Sequence, residues 1–246
     1  MACKNDERGQ EGAWPAHWTL RRAAQVTAGA GIGFALLFLI AYWLLSHVPG
    51  PNASLEEIER FYSDPGDRRR ILAGLYLMPF AGIAFLWFSV TLRMWISGYG
   101  RRVDILFSNI QLVSGIVFIA LFFVSAASAS VLAASVEFAD VPIDPLTARQ
   151  FPQFGTTLFF VFGVRMAAMY VLATTNIGRI GDLLPRWFTY CGFAVGIFLL
   201  LSVTFSRALV LVFPAWMLVL CVILLTRARR VPADAALPSE RVTSNK

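Results

Sequence analysis

ILFSNIQLVSGIVFIALFFVSAASASVLAASV, residues 105–136, carries no charged side chain between Asp104 and Glu137. An uncharged apolar run of about 18 residues or more reads as a helix that spans a bilayer. As a helix this run would measure roughly 48 Å, against a hydrocarbon core of ~30 Å, so it must tilt or project beyond the membrane. Lipid is therefore the solvent that this part of the chain is written for.

Working outward, the same pattern recurs at roughly 26–48, 71–92, 153–176, 187–204 and 209–226. The last two runs are parted only by a short stretch around Arg207. A single helix from Trp187 to Thr226 would be roughly 60 Å long, twice the core, so a tight hairpin is expected there. The expected fold is all-α: six transmembrane helices over 26–226, with polar tails at 1–25 and 227–246. Composition agrees, with 57% apolar and only 15% charged residues, where soluble chains have roughly 25% charged. Arg21-Arg22 ahead of the first run suggests a signal peptide, but the run is too long for an h-region and Pro51-Asn52-Ala53 lacks a cleavage pattern, so the helix is read as retained.

Cytoplasmic loops of membrane proteins are enriched in Lys and Arg. With the N-terminus inside, 14 basic residues fall on the cytoplasmic side and 6 outside, with Arg165 left over. Both termini are thus expected in the cytoplasm. Arg68-Arg69-Arg70 is the exception on the outer side, with Asp64 and Asp67 beside it. Trp95 and Trp187 at one interface and Trp43 at the other fit an aromatic belt. The net charge of +6 lies at the ends of apolar runs, and no basic face with interleaved aromatics exists for nucleic acid. Arginine outnumbers lysine 19 to 2, a bias associated with GC-rich bacterial genomes. A multi-pass protein of a bacterial plasma membrane is the expectation.

Pro49, Gly50 and Pro51 end the first span. Ser54 and Glu57 then form an S-x-x-E capping box, and Leu55, Ile58 and Phe61 or Tyr62 recur at helical spacing. A short amphipathic helix lying on the outer leaflet is expected. The outer loop at 136–153 shows no pattern beyond a polar connection.

Gly29 and Gly33, and Ala126, Ser130 and Ala134, form small-residue ridges that let helices approach closely, within the chain or between chains. Arg165 is the sharpest feature, an arginine near the middle of a span with no Asp or Glu in any span to pair with it. Such a charge is costly in the bilayer and should face protein or water. Two readings stay open. In one, Arg165 binds an anion, a lipid head group or a carboxylate together with polar groups such as Tyr170, Thr157 and Tyr76. In the other, it is satisfied by backbone carbonyls.

Enzyme constellations are absent. There is no H-E-x-x-H motif and no carboxylate pair at membrane depth. His17 and His47 cannot hold a haem between spans. Cys3, Cys191 and Cys221 fit neither a disulfide framework nor a zinc pattern, so no cofactor or metal is expected. Phe80–Leu92 echoes Phe193–Phe205 without gaps, as an inverted repeat of three plus three helices would.

Glu59-Arg60-Phe61-Tyr62-Ser63-Asp64 before the second span, Leu92-Arg93 closing it, and Leu184-Pro185-Arg186-Trp187 opening the fifth carry a resemblance. Over roughly 26–226 the chain resembles a broad group of uncharacterised six-span bacterial membrane proteins, many of them actinobacterial. The resemblance implies the six-helix architecture and no activity. The leading functional expectation is a non-enzymatic protein that binds a partner protein, a second copy of itself or a lipid within the bilayer. A small transporter or channel for an anionic solute using Arg165 is the alternative, and a membrane-embedded enzyme the third.

Overall fold

The computed structural model describes residues 20–50, 53–97, 105–139, 142, 144–202 and 206–230. Both outermost tails, with Trp14 and Trp18, lie outside the described residues, as do Pro51 and the 203–205 part of the Phe193–Phe205 echo. The elements are helices α1 (Leu20–Leu45), α2 (Leu55–Ser63), α3 (Pro65–Ser97), α4 (Ile105–Ala139), α5 (Pro145–Leu158), α6 (Val164–Ile180), α7 (Arg186–Leu201) and α8 (Arg207–Arg230). A single π turn, Phe159–Gly163, joins α5 to α6.

Among the described residues, five helical stretches are long and apolar enough to cross a membrane: Arg22–Leu45, Pro65–Ile96, Ile105–Ala139, Leu146–Ile180 and Ala208–Arg227. The segment expected as the fifth of six spans is α7, of 16 residues, roughly 24 Å long and so shorter than the core of ~30 Å. The fourth stretch also begins earlier than expected. Residues 145–152 are the first two turns of α5. Asp144 caps that helix by accepting from the Leu146 and Thr147 N–H groups and the Thr147 hydroxyl. Pro145 at the first turn gives up no needed donor. The Thr147 hydroxyl and then its N–H hold the Asp144 carboxyl below its ordinary range.

The helices run antiparallel in sequence, α1 against α3 and α8, α4 against α3 and α5–α6, and α6 against α7. One end of the bundle carries α2; the other carries the beginning of α1 and the end of α8. Lipid-soluble helices gain nothing hydrophobic by meeting, so close packing must hold them. The centre is aromatic: Phe38 stacks on Phe122 at 4.6 Å, Phe34 meets Phe85 at 4.9 Å and Phe118 meets Phe213 at 4.9 Å. Such pairs contribute about 0.5–1.5 kcal/mol each beyond their burial. The outside is equally apolar, with Trp87 60% and Leu201 70% exposed, as a lipid-facing surface requires.

Glycines set the closest approaches. A Cβ on Gly155 would stand 2.7 Å from the Ser125 carbonyl oxygen, so α5 lies directly on the backbone of α4. On α1 the close contact falls on Gly31, against Cys221 and Phe88, while Gly29 and Gly33 face open space. The pattern was legible, but the face turned to the rest of the chain is the one between the two glycines. On α4, Ala126 and Ser130 are buried and Ala134 is half-buried. The Ser130 hydroxyl donates to its own helix at the Ala126 carbonyl.

Ser54 accepts from the Glu57 N–H to start α2. Its apolar side is spent on protein: Ile58 and Tyr62 are buried among Ile71, Leu132, Ala133 and Ala148. Arg68 secures this end. Its guanidinium pairs with Glu137 at 2.9 Å and donates to the Tyr62 and Ser63 carbonyls. Arg70 pairs with Asp67. Long-range pairing to Glu137 thus does what the neighbouring aspartates alone do not.

Candidate functional site

Arg165 lies two residues past the π turn, after which the Val164 N–H reaches back five residues to the Phe159 carbonyl. Its guanidinium donates to the Phe160 carbonyl and, at 2.8 Å, to the Ser202 carbonyl. Ser202 is the C-cap of α7. A helix end leaves carbonyls without intrahelical partners, and Arg165 supplies a charged donor to the one at the end of α7. The geometry is that of the carbonyl-held arginine.

The polar groups proposed to join Arg165 scatter. Tyr170 is fully buried, with its hydroxyl 3.0 Å from the Ser89 hydroxyl. Tyr76 is 70% exposed and meets the Phe80 ring at a tilt, with centroids 5.5 Å apart. Thr157 lines a cleft on another side of the π turn. They were grouped as polar groups within the expected spans, and their places in the bundle separate them.

That cleft is a concave feature with the mixed character of a ligand site. It occupies about 470 Å³, within the roughly 300–1,000 Å³ usual for ligand pockets. It lies between the end of α1, the middle of α4, α5 and the π turn. Met78, Phe122, Ala126, Ala129, Phe159 and Phe160 form its apolar part. Arg149, Gln153, Thr156 and Thr157 form a polar stripe down one wall. Residues spaced by four, then three or four, share a helix face, so α5 presents these groups in order along the cleft. Among the described residues Arg149 is the one charged side chain lining it, and a guanidinium N–H donates at 2.7 Å to the Ala53 carbonyl ahead of α2.

Sequence reasoning missed Arg149 as a site residue. It counted only as an outer-loop charge because the helix was started at 153. The signal was present in the Asp144-Pro145 cap and in the spacing of Arg149, Gln153 and Thr157.

Among the described residues no group of three or more His, Cys, Asp or Glu side chains could hold a metal. Helical throughout its regular structure, with several apolar helices able to span a bilayer, the chain falls by length and composition in the class of multi-pass membrane proteins. No protein-family model, curated protein or solved structure matches it.

Proposed function

We propose that this is a non-enzymatic, six-span protein of a bacterial plasma membrane that binds an amphiphile from the bilayer in the cleft between α1, α4 and α5. In this reading α7 is the fifth of six crossings. Arg165, by donating to the Ser202 carbonyl, allows this short helix to end within the outer leaflet. The tails are cytoplasmic, following the 14-to-6 distribution of basic residues, and α2 stands at the outer surface. The cleft then opens toward the outer leaflet, with Arg149 near the interface and Phe160 roughly 16 Å deeper.

The observation that carries the reading is the order of lining groups along α5 and the π turn: Arg149, then Gln153, Thr156 and Thr157, then Phe159 and Phe160. Amphiphiles have that order of chemistry. A transport path for an anion would need polar groups around Arg165, whose guanidinium instead meets two carbonyls. Native mass spectrometry of protein extracted gently from its own membranes, wild type beside Ala129→Trp, tests the reading. A lipid-mass adduct kept by the wild type and lost from the variant supports it. Equal retention, or none in either, overturns it.

A further inference from the structure

We infer that the cleft's ligand is an anionic glycerolipid, head group on Arg149 and one acyl chain running down to Phe159 and Phe160. This rests on the amphiphile-binding reading above and adds the ligand's chemical class.

The cleft is about 470 Å³. A single hydrocarbon chain fits such a volume. A free phosphate would meet Met78, Phe122, Phe159 and Phe160 over the lower half, a surface that offers an ion nothing in exchange for its water.

Charge selects the head group. Among the described residues Arg149 is the only charged one lining the cleft, and none of them is acidic or would attract a cationic head. Its bond to the Ala53 carbonyl fixes the side chain at the rim. Arginine has five N–H donors in a rigid fork, so the fork keeps donors for phosphate oxygens, the geometry in which arginine outperforms lysine. One turn below, roughly 6 Å deeper, is Gln153, and another turn brings Thr157. Their amide and hydroxyl stand at the depth where a glycerolipid carries ester oxygens. Head, esters and chain each meet matching chemistry in the right sequence along one helix face.

The test uses the full-length protein, delipidated in detergent and titrated with phosphatidylglycerol or phosphatidylcholine of identical acyl chains, binding being read by native mass spectrometry. Wild type should prefer phosphatidylglycerol roughly tenfold, the worth of one charge-assisted contact. Arg149→Gln should bind both lipids alike, at the level of phosphatidylcholine on wild type. Arg149→Lys should restore part of the preference, which a merely structural role of Arg149 would not produce. Inorganic phosphate in excess should not displace the lipid. Wild type binding both lipids alike, or Arg149→Gln keeping the preference, overturns the head-group assignment while leaving amphiphile binding standing. Displacement by inorganic phosphate overturns the lipid as ligand. Ala129→Trp binding both lipids as wild type does overturns the cleft itself.

Discussion

Arg149 and Arg165 lie on one continuous helical stretch, four turns apart, and each reaches a distant backbone carbonyl, yet their surroundings differ in kind. Arg165 is half-buried, with its guanidinium held by Phe160 and Ser202. Arg149 is exposed at the rim of a cleft, tied to the Ala53 carbonyl. An intramembrane charge is a functional candidate by default. The pair teaches that occupancy decides: the arginine whose position looked functional is taken up by the fold, and the one that looked like loop decoration faces the open volume.

The largest test of this contrast is Arg165→Leu. Losing a charged donor from two carbonyls should destabilise the protein by about 2–4 kcal/mol, read as a lower melting temperature in detergent, with Arg165→Lys in between. A melt unchanged in Arg165→Leu would place Arg165 back among candidate ligand residues. Between the two arginines, Gly155→Val forces side-chain atoms toward the Ser125 carbonyl, and overpacking of this kind costs roughly 1–3 kcal/mol. Wild-type stability in that variant would show that α5 does not need to lie on α4.

Tyr62 probes the support under Arg149's rim. Its hydroxyl is buried without a hydrogen-bond partner among the described residues, and burial pushes the phenol from 10.0 up to about 12. Tyr62→Phe should therefore be neutral or stabilising by up to about 1 kcal/mol. The folded pKa is raised, so the phenol's contribution is fully present below the ordinary value and is lost as pH climbs from 10.0 toward about 12. Alkaline melts should show that loss in wild type and lack it in Tyr62→Phe. The smallest effect belongs to Arg149→Gln, which should shift stability by less than about 0.5 kcal/mol, as exposed substitutions do. A drop as large as that of Arg165→Leu would break the comparison.

The helices were legible because lipid removes the need for alternation: a run without charge announces itself, as 105–136 does against Ile105–Ala139. Ends were harder. Asp144-Pro145 is a strong cap, but it sits among acidic residues and prolines that read as a loop. Arg165's partners were not legible in principle, since both are carbonyl oxygens that every residue possesses, one of them 37 residues away. Gly29 and Gly33 show the same limit. A small-residue pattern says that a helix can be approached closely, and the packing that chose Gly31 depends on Cys221 and Phe88 from elsewhere in the chain. The cleft arises from α1 and α5 standing apart, which no local pattern records.

The bond from Arg165 to Ser202 also bears on how the chain is made. Synthesis delivers the arginine 37 residues ahead of its acceptor, so on leaving the translocon α6 alone would carry a charge whose insertion costs about 3 kcal/mol. Until α7 follows, that helix is better held beside the protein channel than released to lipid. The two helices are joined by a turn of only five residues, 181–185, with Asp182 in a left-handed conformation and Leu183 bonded back to Gly178. They are built to leave as a hairpin, and a chain stalled between them would be trapped at the point of entry.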